Sequence, residues 1–390
     1  MKRRVFLIVI DSCGSGHAPD AAAFGDKGAN TLRSASRGKG FSIPTMKRMG
    51  LGNVEGLSFL GRSRSPVASY GRMCEASNGK DTTTGHWELA GLVSKRPPRT
   101  FPDGFPAEII SAFEEKTVRR ALVNKPYSGT EIIRDYGEKA LRDGSLIVYT
   151  SADSVFQIAA HVDAVPLGEL YRCCRIAREL LVGRYAVDRV IARPFAGTAP
   201  DFYRTPDRRD FSLEPPKPTL LDALKAAGKD VIGVGKISDI FAGRGITESD
   251  PAHGNPDCLA AASRYLGRDF DGLCFINLVD TDSVYGHRRD VDGYAAALTA
   301  IDAWLADALP SLGEEDLLIV TADHGCDPAF RGTDHTRETV PLLMYAKGLA
   351  PLPLGTRKCF CDAAATAAKW LGVPFRSRGK ALYKEKGARR

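Results

Sequence analysis

The stretch that most constrains the fold is LLIVTADHGCDPAFRGTDH, residues 317–335. Its apolar run ends in Asp323 and His324, and a second histidine, His335, closes the stretch. An apolar β-strand that ends in a carboxylate and an imidazole presents two kinds of metal ligand at one point on a sheet edge. A single Asp-His pair after a strand more often serves a turn or a helix cap. The interpretation as half of a metal site therefore depends on whether the pattern recurs.

The pattern recurs twice. Residues 5–10 form a continuous apolar run that ends at Asp11, and residues 273–279 form another that is followed by acidic residues and a histidine. Continuous apolar runs rich in β-branched residues predict central strands that are buried on both faces. Because the carboxyl ends of parallel strands lie along one edge of a sheet, the polar residues after the three strands are expected to converge. These residues are Asp11, Asp282, His287, Asp323, His324 and His335.

This set of residues is large enough for two metal ions. Three aspartates and three histidines, with no thiolate required, allow Mn²⁺, Zn²⁺ or Mg²⁺. Two such ions, about 4 Å apart, suit phosphoryl transfer because they hold the attacking and the leaving oxygen of an in-line displacement.

A candidate nucleophile comes from NGKDTTTGHWELAG, residues 78–91. Asp81 or Thr82 is expected to cap the helix that follows. A hydroxyl there would lie among free backbone N–H groups at the positive end of the helix dipole, which suits a phosphorylated side chain. A threonine-rich cap without a catalytic role explains this stretch equally well, and His86 is either a metal ligand or a donor behind one.

The order of elements indicates an α/β chain with an inserted domain. At 390 residues the chain exceeds the size at which a single core stops growing. Two proline-rich segments, PPRTFPDGFP and EPPKP, border a region of alternating short strands and helices. We therefore expect a core formed by residues 1–96 and 214–390, with a smaller α/β domain inserted over residues 97–213.

Two glycine motifs resemble nucleotide-binding loops but lack the required spacing. Gly14 and Gly16 have Pro19 in the place of a third glycine, and GVGKIS, residues 233–238, is not a GxxxxGK[ST] loop. The two glycines are expected to let the backbone turn sharply beside a ligand. Lys236, at a predicted strand end, is a candidate phosphate contact.

Composition narrows the class of protein. Hydrophobic residues at 43% and charged residues at 26% fit a soluble globular protein. The net charge of +7 comes from scattered Lys and Arg residues, so we expect a small phosphate ester rather than nucleic acid as the ligand. Nine cysteines in no zinc or redox pattern, without a signal peptide, predict the cytoplasm. No stretch approaches the roughly 20 apolar residues of a membrane span.

Seven blocks of the sequence resemble those of the phosphopentomutase family, which is part of the alkaline phosphatase superfamily. The resemblance runs from the N-terminus to about residue 345 and continues weakly beyond it. Related phosphoglycerate mutases that need no bisphosphoglycerate share the metal pattern, but they are longer and carry a serine nucleophile. The blocks are IDSCGSG, GKDTTTGHWELAG, TSADSVFQIAAH, RVIARPFAG, VGKISDIF, NLVDTDSVYGHRRD and TADHGCDPAFRGTDHTRE.

The resemblance implies an α/β fold, with an alkaline-phosphatase-like core around a mainly parallel central sheet and an inserted smaller α/β cap domain. It implies an isomerase of nucleoside catabolism that interconverts α-D-ribose 1-phosphate, or 2-deoxyribose 1-phosphate, with the corresponding 5-phosphate. It also implies that Thr82 carries the phosphoryl group and that a sugar bisphosphate of the glucose 1,6-bisphosphate type primes the enzyme.

The resemblance further implies a role for each matching residue. One metal ion, usually Mn²⁺ in this family, would be bound by Asp282, His287 and His335. The other ion would be bound by Asp11, Asp323, His324 and the oxygen of Thr82. The positions that match substrate contacts are Asp153, Arg189 and Lys236, with Arg193 and Arg208 as further candidates for phosphate binding.

Two positions depart from the family pattern. Asp188 stands where a glycine is expected and could pair with Arg189, and Thr281 stands where an aromatic residue is expected. A metal-dependent phosphatase or phosphodiesterase on the same core is the alternative function. A sugar-phosphate sensor without catalysis would be expected to have lost part of the ligand set, which is complete here.

Overall fold

The structure is a computed structural model that describes three ranges of the chain, residues 2–95, 99–151 and 154–383. The chain forms two compact units. The first unit comprises Met1–Pro97 and Pro215–Arg390, and the second comprises Pro98–Glu214. Asp153, one of the expected substrate contacts, lies outside the described residues.

Strands and helices alternate along most of the chain. The strands are β1 (Arg4–Ile10), β2 (Ser69–Met73), β3 (Ala121–Pro126), β4 (Leu146–Thr150), β5 (Val155–His161), β6 (Arg189–Ala196), β7 (Tyr203–Arg204), β8 (Arg209–Ser212), β9 (Asp230–Val234), β10 (Glu248–Asp250), β11 (Gly272–Leu278), β12 (Asp316–Thr321), β13 (Val340–Tyr345) and β14 (Pro353–Arg357). The α-helices are α1 (Thr31–Ala35), α2 (Pro44–Met49), α3 (Thr82–Leu89), α4 (Ala107–Thr117), α5 (Glu131–Asp143), α6 (Leu167–Leu180), α7 (Leu220–Ala226), α8 (Ile237–Ile240), α9 (Gly254–Leu266), α10 (Val291–Ser311) and α11 (Cys361–Leu371). Within the described ranges, no helix combines the length and the apolarity needed to cross a membrane.

The first unit is built on an eight-stranded sheet with the order β10-β9-β11-β1-β12-β13-β2-β14. The run from β10 to β12 is parallel throughout, whereas β13 pairs antiparallel with both of its neighbours. The three strands that precede the predicted metal ligands, β11, β1 and β12, are neighbours in this parallel run. The expected fold class, an α/β chain with a mainly parallel central sheet, is confirmed.

Burial explains why these three strands are apolar without alternation. Every residue of β11 and β12 is buried, and so is every residue of β1 from Val5 onward. Helices α9 and α11 pack against β11 and β1. In the register of the sheet, Ile10 pairs with Leu278 and Val9 pairs with Thr321. The residues after the three strands therefore leave the sheet along one edge.

The second unit has a mixed six-stranded sheet with the order β3-β4-β5-β6-β7, in which β8 also pairs with β6. Alternate residues of β4 belong to two separate apolar clusters. Leu146 and Val148 pack with residues of α4 and α6, whereas Ile147 and Tyr149 pack with residues of α5. Because successive side chains of a strand point to opposite faces, this unit has an apolar core on each face of its sheet.

Candidate metal centre and nucleophile

The strand ends bring a first group of predicted ligands together. Asp11 follows β1 directly, and Asp323 and His324 follow β12. The Nε2 atom of His324 lies 3.3 Å from Oδ1 of Asp11 and 3.4 Å from Oδ2 of Asp323. The three residues are at most 1% exposed. Water therefore contributes little to the solvation of these charged groups.

A second group of predicted ligands lies beside the first. Asp282 belongs to a π-helical turn, Thr281–Gly286, that follows β11 and leads to His287. The Nε2 atoms of His287 and His335 each lie 3.3 Å from a different oxygen of Asp282 and 3.0 Å from each other. The ring centroids of His335 and His324 are 4.0 Å apart. The structure thus places all six predicted ligands in one continuous cluster.

Each carboxylate of the cluster keeps one oxygen without a hydrogen-bond partner. These oxygens are Oδ1 of Asp11, Oδ1 of Asp282 and Oδ2 of Asp323. A buried carboxylate oxygen is costly unless a donor or a cation compensates it. Donor atoms of Asp11, Asp323 and His324 lie within 4.8 Å of one another, as do those of Asp282, His324 and His335. This donor set of carboxylates and imidazoles fits divalent metal ions.

The protein fixes the other oxygen of two of these carboxylates. The side-chain amide of Asn277 donates to Oδ2 of Asp11 at 2.9 Å. The backbone N–H groups of Ser12 and His324 donate to Oδ1 of Asp323 at 3.0 Å and 3.1 Å. Each carboxylate is therefore oriented with its unpartnered oxygen available to an ion. Sequence reasoning missed Asn277, for which the signal was a single amide inside the apolar run of β11.

Backbone carbonyls orient two of the histidines. Nδ1 of His287 donates to the carbonyl of Thr333 at 2.6 Å, and Nδ1 of His324 donates to the carbonyl of Gly325 at 3.1 Å. These bonds place the ring proton of the neutral imidazole on Nδ1 and leave Nε2 as the electron-pair donor. Metal-binding histidines usually have this arrangement.

Burial and neighbouring charges set the ionisation of the cluster. Burial raises the pKa of Asp11, and the carboxylate of Asp323 raises it further. Burial also opposes the ionisation of Asp282, but the imidazoles of His335 and His287 outweigh that effect and hold its pKa well below the usual range. The hydrogen bond with Asp282 raises the pKa of His287 to about 9. The cluster therefore favours positive charge beside its carboxylates.

The helix that carries the candidate nucleophile begins at this cluster. Of the two expected capping residues, Asp81 makes the cap, since it accepts hydrogen bonds from the N–H and the hydroxyl of Thr84 at 2.9 Å and 2.7 Å. Thr82 is the first residue of α3, and its hydroxyl lies 3.2 Å from Nε2 of His324. The hydroxyl of Thr84 is thus engaged in the cap, whereas that of Thr82 faces the cluster.

Close packing positions α3 against the end of β12. Nδ1 of His86 donates to the carbonyl of Thr82 at 2.9 Å and lies 3.0 Å from Oδ2 of Asp323. Gly85 lies so near that a Cβ atom there would be 2.3 Å from the carbonyl oxygen of Asp323. His86 was considered either as a metal ligand or as a hydrogen-bond donor behind one. These contacts favour the donor role.

A buried arginine holds the segment that precedes α3. Arg337 is 2% exposed and donates to the carbonyl oxygens of Glu75 and Gly79 at 2.8 Å and 2.5 Å. It also forms salt bridges with the carboxylates of Glu75 and Asp20 at 2.5 Å and 2.8 Å. Sequence reasoning missed this residue, because the sequence pattern near a predicted ligand does not distinguish a buried arginine from an exposed loop arginine.

The glycines after β1 have different explanations. Gly16 has a φ of 109°, as a sharp turn requires. Gly14 makes room for a buried carboxylate, because a Cβ atom there would lie 2.3 Å from Oε2 of Glu338. That carboxylate accepts hydrogen bonds from the N–H of Gly16 at 2.9 Å and from the hydroxyls of Thr31 and Thr336 at 2.7 Å. Glu338 therefore ties the segment after β1 to the segment after β12.

A further group of ligand-type side chains, Glu88, Cys359 and Cys361, lies elsewhere in the first unit. The carboxylate of Glu88 accepts hydrogen bonds from the backbone N–H groups of Ser77 and Phe360 at 2.6 Å and 2.9 Å. A buried carboxylate with such donors is already compensated. This group therefore ties the end of α3 to its neighbouring segments.

The expected substrate contacts are divided between the two units. Lys236 is an exposed residue that follows β9, at the same edge of the sheet as the cluster. Arg189 and Arg193 lie in β6 of the second unit. Arg208, also in the second unit, donates twice to the carboxylate of Asp210 at 2.8 Å.

The two departures from the family pattern have definite surroundings. Thr281 is buried, and its hydroxyl donates to the carbonyl of Asp11 at 2.7 Å. It therefore ties the π-helical turn to the end of β1. Asp188 could pair with Arg189 on the sequence alone, and in the structure Arg189 forms a salt bridge with Asp210 at 3.4 Å.

The fold and the donor set together define a class of enzyme. The model of the Metalloenzyme superfamily matches residues 3–374. A solved phosphoglycerate mutase of Leishmania mexicana, studied at low cobalt concentration, aligns with a TM-score of 0.50 over 99% of this chain and 98% of that chain, at 14% identity. This likeness concerns the fold alone and agrees with the expected α/β core.

Three relatives identify the particular family. The chain is 52% identical to the phosphopentomutase of Lachnoclostridium phytofermentans over 385 aligned residues, which make up 98% of this chain and 99% of the relative. It is 54% identical to the phosphopentomutase of Caldanaerobacter subterraneus subsp. tengcongensis, in an alignment that covers 96% of this chain and 95% of the relative. It is 51% identical to the phosphopentomutase of Deinococcus radiodurans, in an alignment that covers 97% of this chain and 98% of the relative. The chain therefore belongs to the phosphopentomutase family and is a metal-dependent isomerase.

Proposed function

We propose that the protein interconverts α-D-ribose 1-phosphate, or 2-deoxyribose 1-phosphate, with the corresponding 5-phosphate. The family supports isomerisation of a pentose phosphate. The observation that carries the proposal is the hydroxyl of Thr82, which lies 3.2 Å from His324 among buried carboxylates with unpartnered oxygens. Such an arrangement provides a nucleophile together with ligands for the ions that phosphoryl transfer uses.

The proposed metal ligands form two sets. One ion is held by Asp282, His287 and His335. The other ion is held by Asp11, Asp323, His324 and the hydroxyl oxygen of Thr82. We propose Mn²⁺ for both sites, since carboxylate and imidazole ligands accommodate it. When bound, the ions lower the pKa of the Thr82 hydroxyl and neutralise charge on the transferring phosphoryl group.

The proposed reaction passes through a phosphothreonine at Thr82. The phosphorylated Thr82 gives its phosphoryl group to the free hydroxyl of a pentose monophosphate, so that its P–O bond breaks, a bond to the sugar oxygen forms and the hydroxyl proton is released. The resulting bisphosphate turns over and returns its other phosphoryl group to Thr82. A sugar bisphosphate of the glucose 1,6-bisphosphate type supplies the first phosphoryl group. The N-terminus of α3 suits this intermediate, because free N–H groups and the helix dipole favour negative charge there.

Residues from both parts of the chain are proposed to contact the substrate. These are Lys236 from the core and Asp153 and Arg189 from the inserted region, residues 97–213. We propose that the inserted region acts as a cap that excludes water, since hydrolysis would drain the phosphoenzyme.

The proposed setting is the cytoplasm. All nine cysteines are free thiols. A reducing compartment keeps thiols in that state. The proposed partners there are small pentose phosphates rather than nucleic acid.

Substitution of Thr82 tests the phosphothreonine. Wild-type protein with Mn²⁺ and a trace of glucose 1,6-bisphosphate is expected to convert ribose 1-phosphate to ribose 5-phosphate with little free phosphate. Thr82→Ala is expected to lose about 10³-fold or more of this turnover, because no oxygen remains to carry the phosphoryl group. Thr83→Ala, in the same threonine triplet, is the matched control and is expected to stay near the wild-type rate.

The assay also separates the two candidate reactions. A metal-dependent phosphatase or phosphodiesterase on the same core would release phosphate at a rate comparable with isomerisation. Free phosphate as the main product would therefore reject the mutase. Full mutase turnover by Thr82→Ala would reject the phosphothreonine.

A further inference from the structure

A cysteine lies against the second group of predicted ligands. Cys326 follows His324 and Gly325 after β12, and it is 1% exposed. Its Sγ atom, a carboxylate oxygen of Asp282 and a ring nitrogen of His287 all lie within 4.8 Å of one another. Ligands that share one zinc ion through bonds of about 2.0–2.3 Å lie roughly 3–4 Å apart. The thiol is therefore within a small shift of sharing an ion with these two residues.

The backbone and the surroundings of Cys326 position its thiol. The N–H of Cys326 donates to the carbonyl of Ser12 at 3.1 Å and to the hydroxyl of Thr31 at 3.2 Å. Gly286, in the π-helical turn, packs so closely that a Cβ atom there would lie 2.9 Å from Sγ. The thiol makes a long, weak hydrogen bond to the carbonyl of Asp334 at 3.8 Å. Packing thus holds the sulfur beside the cluster, and little hydrogen bonding opposes its use as a ligand.

An unpartnered oxygen of Asp282 indicates that the Asp282–His287–His335 group is suited to a cation. Asp282 is 6% exposed, and its buried Oδ1 atom accepts no hydrogen bond. Cys326 lies beside Asp282 and His287, and Nε2 of His335 lies 3.3 Å from Oδ1 of Asp282 and 3.0 Å from Nε2 of His287. With these three residues, the sulfur of Cys326 would give a set of four donors. Four donors of carboxylate, imidazole and thiolate type suit zinc and its heavier relative cadmium, which favour sulfur and tetrahedral geometry. Mn²⁺ prefers oxygen ligands and gains little from a thiolate.

We propose that Cys326 is a fourth ligand of the Asp282–His287–His335 group for thiophilic ions such as Zn²⁺ and Cd²⁺, which it binds through its sulfur. Mn²⁺ is bound by the same group without the thiol, so Cys326 makes the site metal-selective. The inference rests on the proposed function, which assigns that group to a metal ion. On binding, the S–H bond breaks, its proton goes to solvent and a sulfur–metal bond forms, with no change of oxidation state. A catalytic metal site keeps a coordination position open. The sulfur would fill that position, so thiophilic ions would bind tightly and inhibit.

Cadmium is the probe that tests this assignment. Cd²⁺ is added to the metal-free full-length protein, and ultraviolet sulfur-to-cadmium charge-transfer absorption is recorded for each equivalent. The wild type is expected to gain the band at the first equivalent. Cys326→Ser is expected to lose that band and at least tenfold of the preference for Cd²⁺ over Mn²⁺. The double variant Cys359→Ser, Cys361→Ser is the matched control for the other thiol group, and it is expected to keep the band.

Two results would overturn the assignment. One is a first-equivalent band that survives in Cys326→Ser, and the other is a band that disappears in the Cys359 and Cys361 variant instead. Should Cys326→Ser fail to fold by circular dichroism, ¹¹³Cd NMR of the wild type decides without substitution. A resonance in the range of sulfur-containing sites supports the proposal, whereas one in the range of purely oxygen and nitrogen ligands rejects it.

The same samples separate this inference from the proposed function. Mn²⁺-supported conversion of ribose 1-phosphate is measured on the wild type beside the cadmium titration. Absence of conversion, together with a cadmium band that depends on Cys326, would reject the mutase and leave the metal assignment standing. Normal conversion without such a band would reject the assignment and leave the mutase standing.

Discussion

At the sheet edge, single residues act in pairs, in which one residue is a predicted metal ligand and another orients it by a hydrogen bond. Asn277 holds one oxygen of Asp11, and the carbonyl of Thr333 holds Nδ1 of His287. Residues of this kind tune a metal site almost as strongly as the ligands do. The chemistry of the cluster therefore depends on residues that carry no metal-ligand signature in the sequence.

His287 makes the stability of the metal-free protein depend on pH. Its hydrogen bond with Asp282 raises its pKa to about 9 in the folded protein, against about 6.5 in the unfolded chain. A histidine whose pKa is higher in the folded protein than in the unfolded chain stabilises the fold. This contribution is complete below the pKa of the unfolded chain and is lost as pH rises through the pKa of the folded protein. The melting temperature of metal-free wild type is therefore expected to exceed that of His287→Gln most at about pH 6, and the difference is expected to vanish above about pH 9.

The matched control for this measurement is His253→Gln, which changes an exposed histidine. The melting temperatures of all three proteins are measured in chelator across the same pH series. A difference between wild type and His287→Gln that stays constant from about pH 6 to above about pH 9 would contradict the assigned pKa of His287.

The candidate site combines the carboxyl ends of three strands with the N-terminus of one helix. Strands β11, β1 and β12 deliver the carboxylates, and α3 delivers Thr82 from the side. The helix approaches the strand end closely because Gly85 presents no side chain to the carbonyl of Asp323. The position of the proposed nucleophile is therefore set by the packing of a whole helix.

Gly85→Ala tests this packing. Its Cβ atom would meet a backbone oxygen at 2.3 Å, and overpacking of this kind costs about 1–3 kcal/mol. We expect this loss of unfolding free energy in denaturant titrations, together with a fall in isomerisation rate as Thr82 moves from His324. Gly168→Ala is the control, because Gly168 lies in α6 with no atom within 4 Å of an added Cβ. The control is expected to be neutral or to gain about 0.5–1 kcal/mol, and an equal loss in both variants would refute the role of close packing.

The whole molecule is divided into two units that each contain a core. The apolar clusters on the two faces of the β3–β8 sheet consist entirely of residues between Phe101 and Phe211. The predicted metal ligands and Thr82 all belong to the first unit. Stability of the second unit and metal binding by the first are therefore expected to be separable.

An isolated fragment of residues 98–214 tests this separation. It is expected to fold alone, with a cooperative thermal transition and dispersed amide resonances, because its two clusters need no residue from outside the unit. Phe156→Ala in the same fragment removes a fully buried ring that lies 4.6 Å from Phe105 and 5.5 Å from Phe113 between centroids. This change is expected to cost about 3–5 kcal/mol. A broad, non-cooperative transition in the unsubstituted fragment would contradict the separation.

Much of the fold was predictable because its signals are local. Apolar runs without alternation predicted the buried strands β1, β11 and β12, and a capping residue at Asp81 or Thr82 predicted the start of α3. The six predicted ligands follow from strand ends in a parallel sheet, and they lie in one cluster. Their role as metal ligands stays a prediction, as does the role of Thr82.

Other parts of the site were not predictable, since they depend on segments that meet across long stretches of chain. Asn277 and Asp11 are 266 residues apart. Arg331 and Arg337 belong to the same motif, yet Arg331 is exposed and Arg337 is buried. Cys326 is one of nine cysteines, and only its neighbours make it a candidate ligand. Short-range sequence pattern thus accounts for the strands, the helix cap and the types of predicted ligand. Burial and hydrogen bonding between distant segments determine which other side chains orient these ligands.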